Sequence, residues 1–451
     1  MHNSITQWHL SNIAQAMHGQ LIGDDSVVRG VSIDSRSIGK DELFVAITGD
    51  NFNGHDFAHH AVQRGAVGIV VKESLDIDIP QIIVSDTRQA LGNLAHAWRM
   101  QFDIPVIGIT GSNGKTTVKE MVAAIVRCEQ QALSTLGNLN NDIGVPLTLL
   151  RLSDTDQAAV IEMGANHHNE IQYLTNLVRP SVALITNAGP AHLEGFGSLD
   201  GVAQAKGEIY SGLLPDGIAV INADDPRSNV WYELCEGKNI VSFAVEKTAD
   251  VQGRYLDEAQ GLIHIDTPQG GVELNLPLPG KHNLMNALAA TAACISAGVS
   301  LTSVKTGLEG IKSIAGRFEL KRGKTGSRII DDTYNANPAS FKAALDVLHA
   351  YPGRHFVALG DMGELGEETE ELHRDVGKQA KEAGVNNLYA IGKYAQYITQ
   401  SFGEHAYAFV DHQKMILALR DDLGSDVTLL VKGSRLMQME KIVNALVANG
   451  D

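Results

Sequence analysis

Val106-Ile-Gly-Ile-Thr-Gly-Ser-Asn-Gly-Lys-Thr-Thr117 carries an apolar, β-branched run into a glycine-spaced loop, and a helical pattern opens at Lys115. Strand, loop and helix in that order are the setting a phosphate-binding loop requires. The glycines let the backbone N–H groups of Gly111, Ser112, Asn113 and Gly114 close around phosphate oxygens, and the helix start, Lys115-Thr116-Thr117, adds positive potential. Lys115 then reaches the terminal phosphates and the Thr116 hydroxyl can ligate magnesium. The general pattern G-x-x-x-x-G-K-[ST] needs glycine where Ile109 stands, so this loop is shortened. On these residues alone, the alternative is a glycine turn capping a helix with an exposed lysine.

Outward from this loop, short β-type runs alternate with helical patterns: Ala158-Ala-Val-Ile161, Val182-Ala-Leu-Ile-Thr186 and Ile218-Ala-Val-Ile221 each precede one. That alternation predicts an α/β chain with mainly parallel sheets. Before it, a helical segment around Ser11 to Met17 is followed by Val27-Val28, Val31-Ser-Ile33 and Leu43-Phe-Val-Ala-Ile47, which reads as a small α/β domain over 1–84. A helix-like stretch from Thr87 to Gln101 opens a central P-loop ATPase-like domain over 85–314. A hinge near Ala315 leads to a Rossmann-like, doubly wound domain over 315–451, with strands at Arg328-Ile-Ile330, Phe356-Val-Ala-Leu359, Asn387-Leu-Tyr-Ala-Ile391, Ala408-Phe-Val410 and Val427-Thr-Leu-Leu-Val431.

The chain has 451 residues, 44% apolar and 20% charged, with 36 Lys and Arg against 53 Asp and Glu, a net charge of −17. Length and composition predict about three globular domains. An acidic surface repels polyphosphate backbones, so nucleic acid is not an expected partner and phosphates should bind in local pockets. Cys128, Cys235 and Cys294 are far apart and lack C-x-x-C spacing, as in reduced cytosolic chains. The opening Met1-His-Asn-Ser-Ile-Thr-Gln-Trp8 has no basic region followed by an apolar one, so no secretion signal is expected. The uncharged stretch from Leu284 is punctuated by Asn286, Thr291, Ser296 and Gly298, which predicts a buried helix ending near Gly298 and no transmembrane segment.

Thr110-Gly-Ser-Asn-Gly-Lys-Thr-Thr117 resembles the shortened loop T-G-[ST]-N-G-K-T-T of the Mur ligase family, the ATP-dependent amide-forming enzymes of peptidoglycan synthesis. Gly137-Asn-Leu-Asn-Asn-Asp-Ile-Gly-Val-Pro146, Asp331-Asp-Thr-Tyr-Asn-Ala-Asn-Pro338 and Gly360-Asp-Met-Gly-Glu-Leu-Gly366 are similar to the member that adds D-alanyl-D-alanine to UDP-N-acetylmuramoyl-tripeptide. The resemblance implies a monomeric enzyme of the bacterial cytoplasm using ATP and a pair of magnesium ions. Its product would be the pentapeptide precursor, with ADP and phosphate.

A ligase of this kind must neutralise many phosphate oxygens, so carboxylate-type metal ligands are needed. Glu162, at a strand end, is well placed, because open α/β sheets bind ligands at strand C-termini. His192, after the next strand, would as a lone histidine more often be a surface or core residue; the resemblance makes it a metal ligand. Lys206 reads by itself as an exposed helix lysine, and the resemblance makes it a carbamate, formed with carbon dioxide, that bridges metal ions. By the same resemblance Asn283, in Gly280-Lys-His-Asn283, contacts the base, although a helix N-cap serves equally on sequence grounds. Arg317 and Asp332 then complete the nucleotide site from the third domain, one for phosphate and one for ribose.

Asp34-Ser-Arg36 with Gly54-His55 resembles the family's uridine-nucleotide pattern, making Ser35 and Arg36 diphosphate donors, against an Asx-type turn with a surface arginine. Asn140 and Asn141 could bridge from the phosphate loop to the muramoyl-peptide. For the dipeptide the resemblance points to Asn335, Asn337, the Asp361–Leu365 loop, His373, and Lys432 and Ser434 in Lys432-Gly-Ser-Arg435. Asp224-Asp-Pro-Arg227 reads as a turn, and His59-His60 and His167-His168 as surface pairs. The rival class is a nucleotide switch using the loop without ligation, which gives no reason for Glu162, His192 and Lys206.

Overall fold

The structure is a computed structural model describing residues 8–49, 52–190 and 193–448, so His192 lies outside the described residues. Three main sheets follow one another along the chain. The first has five strands in the order Gln20–Ile22, Gln81–Ile83, Gly68–Val71, Glu42–Val45 and Gly30–Ser32, parallel except where Gln20–Ile22 meets Gln81–Ile83.

The central sheet has nine strands with Val106–Thr110 third in the order, between Ala158–Glu162 and Val182–Ile185. Its parallel part runs from Ala132–Ser134 to Val251–Asp257. Leu262–Thr267 and Gly270–Asn275 then extend it as antiparallel strands, an addition the sequence reading did not foresee. Both faces of the parallel part are covered. Ile107 and Ile109 pack with Val118, Met121 and Val122 of the loop's own helix, whereas Val106 joins Ala159 and Ile161 in a core on the other side. Strands covered on both faces read as unbroken apolar runs, which is how this region looks in sequence.

The uncharged stretch from Leu284 falls in the helix Lys281–Ser296, and Gly298 follows at φ +84°. Its alanines at 287, 289, 290, 292 and 293 are all but inaccessible, and their small side chains seat the helix against the loop's helix Lys115–Val126. Among the described residues no helix is long and apolar enough to cross a membrane.

The third sheet has six strands in the order Glu319–Arg322, Arg328–Asp332, Val427–Lys432, Arg354–Gly360, Asn387–Ile391 and Ala406–Phe409. Only the edge strand Glu319–Arg322 is antiparallel. The fold is therefore α/β throughout, and the strand C-termini of the second and third sheets face a common cleft of about 1580 Å³.

Candidate active site

The phosphate loop is held open by its neighbours rather than by its own sequence alone. Gly111 has φ +146° and Gly114 φ +80°; a Cβ at either would lie 1.9 Å from Thr186 Oγ1 or 2.5 Å from Asn286 Oδ1. Only glycine fits both the conformation and the space. The segment after Val182–Ile185 braces the loop: Ser112 N–H donates to Asn187 O and Asn113 N–H to Asn187 Oδ1, each at 3.0 Å, and Thr186 Oγ1 donates to Asn113 O at 2.6 Å. Lys115 Nζ donates to Gly111 O at 2.6 Å and Ser112 O at 3.3 Å. Burial lowers the Lys115 pKa, the nearby Glu162 charge opposes that shift and Arg317 adds to it.

Glu162 ends its strand at 2% exposure. Its Oε1 accepts from Asn140 Nδ2 at 2.8 Å, while Oε2 is buried and has no hydrogen-bond partner. A carboxylate oxygen out of water with no partner is costly, and a cation would relieve it. The expected magnesium therefore fits here. Thr116 and Glu162 offer hard oxygens, and magnesium keeps few protein ligands beside phosphate and water. Among the described residues no group of three or more His, Cys, Asp or Glu could hold an ion.

Lys206, on the helix Leu199–Gly207, is 1% exposed, so the sequence reading of an exposed helix lysine is set aside. Its Nζ lies 3.4 Å from Ala165 O and 5.1 Å from the Phe196 ring centre. Burial, aided by the Lys115 charge, brings its pKa down to about 7. An amine that sheds its proton near neutrality is a nucleophile, which is what carbon dioxide capture needs.

The third sheet supplies the other wall. Arg317 Nη2 donates to Thr116 Oγ1 at 3.0 Å, and its guanidinium stacks 4.0 Å from the Tyr334 ring. Asp332 pairs with Lys432, Oδ2 to Nζ at 2.5 Å, and Lys432 also donates to Asn335 O at 2.9 Å. Asn283 is inside the helix Lys281–Ser296, whose N-cap is Gly280, so the capping alternative fails. Its Nδ2 donates to Pro279 O at 2.8 Å and its side chain lines the cleft.

Several expected substrate residues are engaged elsewhere. His373 is fully buried: Nε2 accepts from Met362 N–H at 3.0 Å and Nδ1 donates to Thr369 O at 2.6 Å. Both nitrogens are spent, so His373 cannot touch a dipeptide and instead fixes the Asp361–Leu365 loop, a correction to the sequence reading. Asn337 caps the helix Pro338–His349 through Oδ1 and donates from Nδ2 to Asn113 Oδ1 at 2.8 Å, so it bridges to the phosphate loop. Lys432 is likewise committed to Asp332. Ser434 is 7% exposed, its N–H donating to Asp361 O at 3.0 Å, and Asn141 Oδ1 accepts from Gly144 N–H at 2.8 Å. In the first domain, Ser35 Oγ meets His60 Nδ1 at 3.0 Å and Arg36 pairs with Asp34 at 2.8 Å. These two are not among the cleft's lining.

The sequence reading missed His282. Its ring packs 4.5 Å from Phe318, its Nε2 is buried without a partner, and burial beside Lys432 brings its pKa to about 4. It is thus a neutral imidazole in the cleft wall, signalled in sequence only by adjacency to Asn283. Asp224 and Asp225 form more than a turn. Asp224 accepts from the N–H groups of Val245, Glu246 and Lys247, and Asp225 from Ala188 N–H at 2.8 Å, beside the segment that braces the phosphate loop.

Comparison with known proteins agrees with this geometry. Three family models match: "Mur ligase family, catalytic domain" over residues 27–99, "Mur ligase middle domain" over 109–294, and "Mur ligase, glutamate ligase domain" over 316–435. The UDP-N-acetylmuramoyl-tripeptide--D-alanyl-D-alanine ligase of Escherichia coli K12 is 43% identical over 448 residues, 98% of each chain. That of Bacillus subtilis is 33% identical over 97% of this chain and 98% of its own. Among solved structures, MurF from Acinetobacter baumannii superposes with a TM-score of 0.92 at 35% identity, covering 97% of this chain and 98% of that one. MurF from Thermotoga maritima, solved with ADP, gives 0.84 at 27% identity over 93% and 97%. With its shortened phosphate loop, its α/β three-sheet architecture and these full-length likenesses, the chain belongs to the Mur ligase family of ATP-dependent ligases.

Proposed function

We propose that this chain joins D-alanyl-D-alanine to UDP-N-acetylmuramoyl-tripeptide at the expense of ATP, in the bacterial cytoplasm. The observation that carries the reading is one cleft in which Lys115 and Thr116 of the central sheet meet Arg317 of the third-sheet region, beside the unpartnered oxygen of Glu162. A nucleotide switch could use such a carboxylate for magnesium as well, but it does not account for the full-length likeness to ligases. Both walls come from one chain, so a monomer suffices. Residues 1–84, 85–314 and 315–451 would act as uridine-substrate, ATP-binding and nucleotide-closing, dipeptide-binding domains respectively.

The terminal carboxylate of the tripeptide attacks the γ-phosphorus; an O–P bond forms, the β–γ bridge breaks, and ADP leaves an acyl phosphate. The dipeptide amine then attacks the acyl carbon, loses its proton and expels phosphate. Lys115 and Arg317 carry positive charge to the oxygens on which negative charge accumulates, which is where most of the barrier reduction arises. The Gly111 and Gly114 N–H groups and Thr117 would cradle the phosphates, while Ser112 and Asn113, whose N–H groups Asn187 holds, would shape the loop around them, and Asn283 and Asp332 would orient base and ribose. Thr116, Glu162, His192 and Lys206 as its carbamate would hold magnesium, which would supply Lewis-acid charge neutralisation there. Ser35 and Arg36 would bind the uridine diphosphate and Asn140 and Asn141 the peptide. Asn335, Asn337, Lys432 and Ser434 would frame the dipeptide pocket through the loops they hold.

Mass detection of product separates this reading from its neighbours. UDP-muramoyl-tripeptide with D-alanyl-D-alanine should give pentapeptide and phosphate; UDP-muramoyl-dipeptide with a single amino acid should give neither. Product only from the second mixture would refute the substrate assignment.

The Asn337 bridge carries its own prediction. Asn337→Ala removes both the cap and the donor to Asn113, and should cost the third-sheet region about 1 kcal/mol of stability and weaken ATP binding. Asn337→Asp keeps an acceptor for the helix but cannot donate to Asn113, so stability should return while ATP affinity does not. Thermal unfolding and nucleotide titration of the two variants check this.

A further inference from the structure

The helix of the phosphate loop carries a second lysine that the ligation chemistry does not use. Lys119 lies one turn after Lys115 on Lys115–Val126, is 1% exposed, and is not among the residues lining the cleft. An ammonium held out of water is costly unless its protons are taken up. Its Nζ donates to Glu120 Oε1 at 2.5 Å and to Thr135 O at 2.8 Å. Glu120 is the next residue on the helix and its side chain is 35% exposed, so a pair with Glu120 alone does not require the lysine to be buried. The bond to the Thr135 carbonyl does, because it is made in the interior.

Thr135 follows the strand Ala132–Ser134, which runs beside Ala158–Glu162. Itself 1% exposed, it donates its N–H to Val160 O at 3.1 Å, and its Oγ1 accepts from Glu162 N–H at 3.0 Å. Farther along the same segment, Asn140 donates from Nδ2 to Glu162 Oε1 at 2.8 Å, and its O accepts from Gly164 N–H at 2.8 Å. Glu162 is thus held at its main chain, at its carboxylate and at the turn beyond it by one segment, Thr135 to Asn140. Lys119 ties the base of that segment to the helix on which Thr116 stands. The sheet joins the same two regions through Met163 N–H to Ile109 O at 2.8 Å, which levels the strand ends; the Lys119 tie sets the segment that aims the carboxylate.

Building on the ligase reading and the fit of magnesium at Glu162, we propose that Lys119 is a positioning residue for the metal: through Thr135 it holds the Glu162 carboxylate in register with Thr116, so that magnesium on the ATP phosphates meets both. Magnesium demands near-ideal octahedral geometry and adapts poorly to displaced ligands. Residues that hold metal ligands from behind are accordingly worth about 10- to 100-fold in metal affinity. Lys119 touches neither nucleotide nor metal in this arrangement, and its effect is confined to what the metal adds.

The test reads binding rather than turnover. Calorimetry gives the affinity of the full chain for adenylyl imidodiphosphate, an ATP analogue that resists cleavage between its β and γ phosphates, in magnesium and in EDTA; the ratio is the magnesium enhancement. Lys119→Met keeps the unbranched stem and removes the ammonium. Its affinity in EDTA should match wild type, because Lys115 and the loop N–H groups are untouched, while the enhancement should fall about 10-fold. Thr135→Val has nearly the same shape but no acceptor for Glu162 N–H and should lose the same enhancement, which Thr135→Ser should restore. Both substitutions break one chain of contacts, so the double variant should lose no more than either alone. The ratio is taken within one preparation, so a loss of folded protein cancels, and the Thr135 variants decide the matter if Lys119→Met does not fold. Wild-type enhancement in Lys119→Met or Thr135→Val, or equal losses in magnesium and in EDTA, would overturn the role of Lys119. A wild type that binds the analogue equally with and without magnesium would refute the magnesium fit at Glu162 and this role with it, and one that does not bind the analogue at all would refute the ligase reading itself.

Discussion

Lys115→Ala should lower kcat/KM for ligation by about 1,000-fold or more while leaving the fold almost intact. The size follows from the role: removing one charged donor aimed at developing negative charge in a phosphoryl transfer costs two to several orders of magnitude. The sparing of the fold follows from geometry. Among the described residues, Lys115 Nζ donates to Gly111 O and Ser112 O, both in a loop bordering the open cleft. Water can replace the ammonium there, so the structural loss should be about 1 kcal/mol. Steady-state kinetics together with thermal unfolding check both halves. A variant with near-normal turnover would remove the phosphate-loop assignment.

The second large effect is expected at Lys206. Lys206→Met keeps an unbranched stem in the buried site but has no amine to carboxylate, and should lose at least about 100-fold in activity with little change in stability. The pH dependence has a definite sign. With its folded pKa near 7, against 10.5 for an ordinary lysine, the amine is neutral above about pH 7 and protonated below. A carbamate signal from ¹³C-labelled bicarbonate should therefore appear as pH rises through 7 and be absent at pH 5.5. Over the window from about 7 to 10.5 the unfolded chain holds a proton that the folded chain has shed, so this group makes stability rise with pH. Full activity in Lys206→Met would reduce Lys206 to a packing residue.

How much of this was legible in the sequence depends on the range of the interaction. The phosphate loop is local: strand, positive-φ glycines, lysine and helix lie within Val106–Thr117, and their spacing alone predicts the chemistry. Glu162 was legible because the end of an apolar strand run is itself a position in the fold. The misreading of His373 has the opposite cause. Its partners, Met362 N–H and Thr369 O, are backbone groups, and nothing in a side-chain pattern announces that a backbone turn will consume both nitrogens. Lys432 and Asp332 are 100 residues apart in sequence, so nothing in a basic C-terminal motif announces the buried pair it makes across neighbouring parallel strands. Asn337 looks like a helix cap and is one, but its second bond, to Asn113, crosses 224 residues. The antiparallel strands from Leu262 to Asn275 escape notice because they bury only Ile263, Ile265 and Leu274, and the polar and glycine residues between these break the apolar run.

The central claim is that the tripeptide carboxylate is activated by the γ-phosphoryl group before the dipeptide amine attacks. Tripeptide labelled with ¹⁸O in its terminal carboxylate, incubated with ATP, magnesium and D-alanyl-D-alanine, should yield pentapeptide with one label transferred to each released phosphate. Pentapeptide formed with unlabelled phosphate would contradict the account, because the oxygen would then never have bridged carbon and phosphorus.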